Sequence, residues 1–126
     1  MLVHDAARPN LRGEDIGRLI AAAEAAPDGA ILGAPLRHAQ ARRPRPHRRH
    51  RAARGPVARV HPQAFRRGAL TATLAEAARA GVAVTDEASA MERSGVQPWL
   101  VEGREDNLKV TTPADLALAE YLIGRH

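Results

Sequence analysis

Residues 37–61 constrain the fold more than any other part of this 126-residue chain. The stretch holds nine Arg and four His, with no acid and no apolar period. A segment of that kind repels itself and has no face to bury, so it contributes no core. The fold must be built from the residues on either side, which are enough for one domain and too few for two. Those residues differ in charge. Of the 19 Lys and Arg, 9 lie in the stretch, and the other 10 face all 14 Asp and Glu. A mildly acidic domain thus carries one strongly basic insert, and the net charge of +5 reflects the insert.

Only Phe65, Trp99 and Tyr121 are aromatic, so the core must come from Ala, Leu, Val and Ile. The absence of cysteine excludes disulfides, thiolate zinc sites and a cysteine nucleophile. No apolar run approaches the roughly 18 residues of a membrane span. Met1-Leu-Val-His-Asp5 lacks the basic start and apolar stretch of a signal peptide. The expectation is a soluble cytoplasmic protein.

Residues 1–4 read as a short strand, followed by the loop Asp5-Ala-Ala-Arg-Pro9. Ile16, Leu19, Ile20 and Ala23 recur at helical spacing over 14–25, and Pro27-Asp-Gly29 ends that helix. Ala30 to Ala34 is a short apolar run, read as a buried strand. From Phe65 to Ala80 the period is helical again, with Leu70, Leu74 and Ala77/Ala78 on one face and Gly81 as the stop. Residues 82–84 and 108–110 are short apolar runs, 108–110 read as a strand, and 97–102 alternates as a strand does. A short helix precedes Gly95, and Thr112-Pro113 opens the last one, to about Ile123. Strands alternating with helices predict an α/β domain with a largely parallel sheet. Ligands in such folds sit beyond the carboxyl ends of strands, here the loops after residues 4, 84 and 108.

Three segments there carry usable chemistry. Asp5 and Arg8 place a carboxylate suited to a hard cation beside a guanidinium suited to phosphate. Spacing alone favours a plain turn. Thr85 with the start of the following helix offers an anion site, although spacing alone favours an ordinary cap. Lys109 is the chain's single lysine; every other fixed cation is arginine. It is either a point charge kept for a phosphoryl group or a surface residue kept by chance. The histidines of the insert, His61 included, have no acid near them in sequence and suggest no metal site.

Together, Leu2-Val-His-Asp-Ala-Ala-Arg-Pro9, Pro62-Gln-Ala-Phe65, Val84-Thr-Asp-Glu-Ala-Ser-Ala90, Val101-Glu-Gly103 and Asn107-Leu-Lys-Val-Thr-Thr-Pro-Ala-Asp-Leu116 resemble the 2-C-methyl-D-erythritol 4-phosphate cytidylyltransferases. They occur in that family's order and cover residues 1–35 and 62–126. The resemblance implies a Rossmann-like nucleotidyltransferase sheet with flanking helices. It implies transfer of a cytidylyl group from CTP to methylerythritol phosphate, with magnesium, on the non-mevalonate route to isoprenoids. By motif, Lys109 would be catalytic at the reacting phosphates. Asp5 would stand at the metal and substrate junction, with Arg8 and Thr85 on the substrate side. A related acceptor such as ribitol 5-phosphate, or a fusion to the cyclodiphosphate synthase, is compatible with the same motifs.

Two features depart from that family. Its domain opens with a glycine-rich loop around the triphosphate, and no such loop is found here. Residues 1–126 are therefore expected to be the C-terminal part of the domain, incomplete and inactive alone. The family's dimerisation arm should occupy residues 37–61. Codons can be chosen for Arg37–Arg42 and Gly55–His61 that, read one base later, encode Asp-Thr-Leu-Lys-Arg and Leu-Trp-Arg-Ala-Cys-Thr, as that arm does. The stretch is thus expected to be out-of-frame translation, irregular over about 38–58, with the homodimer disrupted and His61 standing where the family has Thr. The competing reading is an RNA-binding module. No aromatics interleave the arginines to stack on bases, so the expectation is nonspecific, salt-dependent sticking.

Overall fold

The computed structural model describes residues 1–35 and 57–126. In chain order these form β1 (Leu2–Val3), α1 (Gly13–Ala25), β2 (Ala30–Pro35), β3 (Val57–Ala64), α2 (Arg67–Arg79), α3 (Glu87–Arg93), β4 (Trp99–Glu102) and α4 (Pro113–Ile123). The four strands make one sheet in the order β1-β3-β2-β4.

Strand period places the core. Ala30 and Leu32 of β2 face one side of the sheet with Val60 and Ala64 of β3, and Leu19 of α1 packs on them. Ile31, between them, faces the other side, where Phe65, Leu70 of α2, and Ala88 and Met91 of α3 close over it. The result is a sheet between two helical layers, the expected α/β class. Its core is small and mostly aliphatic, but Phe65 and Met91 join the Ala, Leu, Val and Ile that composition led one to expect.

The helix ends follow local chemistry. Gly81 (φ 66°) and Gly95 (φ 89°) terminate α2 and α3 in the left-handed region. Val82 and Val96 N–H return to the carbonyls of Ala77 and Met91, satisfying groups that a helix end would otherwise leave free. Thr112 and Asp115 form a reciprocal capping box at the start of α4, with Pro113 in the first turn.

Four expectations are corrected. The sheet is not largely parallel: β1–β3 and β2–β3 are antiparallel, and only β2–β4 is parallel. The cause is β3, whose first five residues, 57–61, fall in the stretch read as structureless; β3 pairs along β2 from Pro35↔Val57 to Ala30↔Ala64. The rest of the basic stretch, with the expectations of irregularity and frame shift, lies outside the described residues. Residues 82–84 and 108–110 are not strands. Val82 and Val84 are exposed without a ladder partner, and the backbone of 108–110 reaches the 5–9 loop by one bond, from Val110 N–H to Ala7 O. Finally, the buried stripe of α2 is Leu70 and Ala77, while Leu74 and Ala78 are exposed. Residues seven apart lie on one ridge, and a helix packed along one ridge buries no more than that.

Candidate active site

The loop after β1 is folded by its own acid. Asp5 Oδ1 accepts the Ala7 N–H at 3.0 Å, and Asp5 O accepts the Arg8 N–H at 3.0 Å. This is the turn that spacing alone favoured. It leaves Oδ2 on the outer side, and the Lys109 ammonium meets that oxygen at 3.1 Å. The Ala7 N–H and the Lys109 ammonium together hold the Asp5 carboxyl below its ordinary range, against a smaller effect of burial; the charge of His61 adds to it. Asp5 therefore stays ionised, and Lys109 remains half exposed, with donors to spare for an anion.

Arg8 turns inward. Its Nη1 donates to the Asn107 carbonyl at 2.7 Å, and burial lowers its pKa, partly offset by Asp5. Asn107, 3% exposed, donates from Nδ2 to the His61 carbonyl at 2.7 Å. The loop leading to Asn107 is fastened in turn: Arg104 grips Asp106 through two bonds of 2.9 Å, Asn10 Nδ2 donates to Asp106 O at 2.8 Å, and buried Asp15 accepts the Arg104 N–H at 3.1 Å.

The third segment reaches the site through β3. His61 Nε2 lies 3.6 Å from Glu87 Oε2 at the start of α3. Sequence proximity gave His61 no acid; the fold supplies one. Buried Gln63 fixes the same helix start, donating to Asp86 Oδ2 at 3.1 Å and accepting the Ala88 N–H at 2.9 Å. Asp86 caps α3 through the Ser89 N–H, and Thr85 shares a hydroxyl contact of 3.1 Å with Ser89. Burial pushes the Asp86 carboxyl up, but bonds from Ser89 and Gln63 outweigh it and hold it below its ordinary value. Asp86 is thus the N-cap of α3, and its carboxylate lies across the helix start. Thr85 stands beside it, exposed, two residues from Glu87.

The fold thus brings Asp5, Arg8 and Lys109 together and places Thr85 on an adjoining element. Four of the five buried side-chain atoms without a hydrogen-bond partner among the described residues belong to this neighbourhood: Arg8 Nε, His61 Nδ1, Glu87 Oε2 and Asn107 Oδ1. Sequence reasoning quoted Asn107, Gln63 and Glu87 inside motifs and gave them no part. Their common signal is a polar side chain beside an apolar run, which is weak without the fold.

The sequence profile of the IspD family, 2-C-methyl-D-erythritol 4-phosphate cytidylyltransferase, matches residues 1–125. A protein of that name from Stenotrophomonas maltophilia (strain R551-3) is 52% identical over 135 aligned positions, taking in 99% of this chain and 55% of the relative. One from Xanthomonas euvesicatoria pv. vesicatoria (strain 85-10) is 52% identical, over 99% of this chain and 48% of its own. A solved 4-diphosphocytidyl-2C-methyl-D-erythritol synthase superposes with a TM-score of 0.75 at 38% identity, over 97% of this chain and 54% of that one. The 2-C-methyl-D-erythritol 4-phosphate cytidylyltransferase of Thermus thermophilus does so at 0.76 and 30%, over 96% and 60%. The chain spans about half the length of the curated relatives it matches.

Proposed function

The chain belongs to the 2-C-methyl-D-erythritol 4-phosphate cytidylyltransferase family, and on that premise we propose that its protein transfers a cytidylyl group from CTP to 2-C-methyl-D-erythritol 4-phosphate, in the cytoplasmic non-mevalonate synthesis of isoprenoids. The Asp5–Lys109 pair at 3.1 Å carries the reading. An oxygen of the acceptor's phosphate forms a bond to the α-phosphorus of CTP. The bond from that phosphorus to the oxygen bridging the β-phosphorus breaks, and pyrophosphate leaves. Such a step needs aligned reactants and neutralised charge more than covalent help. Lys109 presents an ammonium to the phosphate oxygens. Asp5 keeps that ammonium in place, Arg8 holds the loop that carries Asp5, and the Thr85 hydroxyl contacts the polyol.

Magnesium fits this site in one way. Among the described residues no three His, Cys, Asp or Glu cluster to cage a metal. One partly exposed carboxylate, however, suits an ion held mainly by phosphate oxygens and water. Asp5 would be its protein ligand, and the bound ion would neutralise phosphate charge. The remaining parts of the proposal concern the whole protein. These residues form the C-terminal part of a single domain, the basic stretch replaces a dimerisation arm, and this chain alone turns over little CTP.

The single lysine offers a direct test. A chain labelled at lysine Cε gives one side-chain NMR signal, that of Lys109. Methylerythritol phosphate should shift it at concentrations where ribitol 5-phosphate does not, while pyrophosphate release from CTP and magnesium stays at background. A Lys109 signal indifferent to methylerythritol phosphate would refute the site. Rapid turnover by this chain would refute the inactivity.

A further inference from the structure

We propose that Asn107 is the positioning residue that sets where the Lys109 ammonium stands, by pinning the lysine segment to β3 and to Arg8 at once. The inference rests on the preceding reading only in assigning Lys109 to phosphate; the geometry is independent of it.

Residues 108–110 belong to no sheet ladder, so nothing periodic fixes their course. Two sets of bonds do so instead. Before Lys109, the Asn107 side chain donates to the His61 carbonyl at 2.7 Å, and the Asn107 carbonyl accepts from Arg8 at 2.7 Å. After it, the Val110 N–H donates to the Ala7 carbonyl at 2.7 Å. Lys109 is the residue suspended between these anchors. Its reach to Asp5 depends on both, because Asp5 belongs to the loop that Arg8 and Ala7 fasten. The side-chain bond to His61 is the one made to the sheet, and Asn107 is buried enough (3% exposed) that water does not readily replace it. Asn107 Oδ1 is buried without a partner among the described residues, so the side chain is held by its donor end alone. An Asp of the same shape has no such donor. Lysine has a flexible four-carbon stem, and its charge is useful only where the backbone beneath it is fixed.

The test uses the 126-residue chain with Asn107→Leu, which fills a similar volume without the donor, and Asn107→Ser, which stays polar but is too short to reach His61. Unchanged Trp99 emission and unchanged amide shifts in α1 show that a variant is folded. Without ligand, the lysine-labelled chain should show a nuclear Overhauser contact between the Lys109 side chain and Asp5 Hβ. That contact should be lost in both variants, or in whichever of the two folds. Affinity for methylerythritol phosphate, read on the Lys109 signal, should fall about tenfold or more, the effect of losing one hydrogen bond to a charged group. A folded variant that keeps the Lys109–Asp5 contact overturns the proposal. Loss of the contact in variants whose parent ignores methylerythritol phosphate upholds the positioning and refutes the functional reading instead.

Discussion

Gln63→Leu isolates the bond system that seats α3 against the site. Gln63 is fully buried and serves two partners, the Ala88 N–H at 2.9 Å and Asp86 Oδ2 at 3.1 Å. Leucine fits the same space and satisfies neither. Ala88 is itself 0% exposed, so its N–H loses a partner with no route to water. That costs about 1–3 kcal/mol. Asp86 loses one charge-assisted bond but retains Ser89, which puts its loss at the lower end of about 1.5–3 kcal/mol. Burying leucine recovers part of this, roughly 1.5 kcal/mol. The net destabilisation is then about 1–3 kcal/mol. For a domain of this length that lowers Tm by about 3–15 °C. The assay is thermal unfolding followed by far-ultraviolet circular dichroism and by Trp99 emission at neutral pH. Gln63→Glu sharpens it. A carboxylate facing Asp86 would have its pKa raised, so the stability it contributes is present at low pH and lost as pH rises through that value. Gln63→Glu should therefore lie nearest the parent at about pH 4 and furthest at about pH 7. A Gln63→Leu Tm within about 2 °C of the parent, or a Gln63→Glu deficit independent of pH, would refute the assignment of both bonds.

Two further outcomes are expected. Gly29→Ala should be severely destabilising: the glycine has φ +83°, and an added Cβ would meet the Phe65 ring at 2.5 Å and the Ala64 carbonyl oxygen closer still. Gly81→Ala, with φ +66° and open space, should cost only the conformational part, about 1–2 kcal/mol, and equal losses at the two sites in urea unfolding would contradict the packing around Gly29. Asp86 and Asp106 are both held below their ordinary pKa, Asp86 by bonds that outweigh burial and Asp106 chiefly by Arg104. Their stabilisation is present above the unfolded value near about 3.9 and lost as pH falls through the folded values. Tm should hold from about pH 7 to about 5 and drop below about 4, and a Tm flat down to about pH 3 would count against both networks.

What the sequence revealed follows from the range of each signal. Helix ends depend on a few adjacent residues, and Gly81, Gly95 and Thr112-Pro113 were readable as terminators and caps. Strand β2 was readable because both its faces are buried, one by Leu19 and the other by Phe65 and Leu70. Strand β3 was not, because its first residues share the composition of the basic stretch and Pro62 interrupts its period. Its strand state is imposed by pairing with β2, a tertiary effect that local pattern does not carry. The same holds at the site. Asp5, Arg8 and Lys109 carry charges suited to phosphate and stood out by type. Asn107, Gln63 and Glu87 act through partners 23 to 99 positions away, and their roles exist only once the chain is folded.

The span of those contacts has a consequence for how the molecule holds together. Arg8 and Asn107 are 99 positions apart, and Asn107 and His61 are 46 apart. Closing loops of that size is slow and contributes little until the whole sheet has formed, so this corner condenses late and opens early. An anion bridging Lys109 and the Asp5–Arg8 loop would tie two ends of the chain as a noncovalent cross-link does. At roughly a hundredfold excess over its Kd it would add about 2.7 kcal/mol to the folded state. Occupancy would then govern the lifetime of the folded chain, and proteolytic resistance would rise and fall with the supply of substrate.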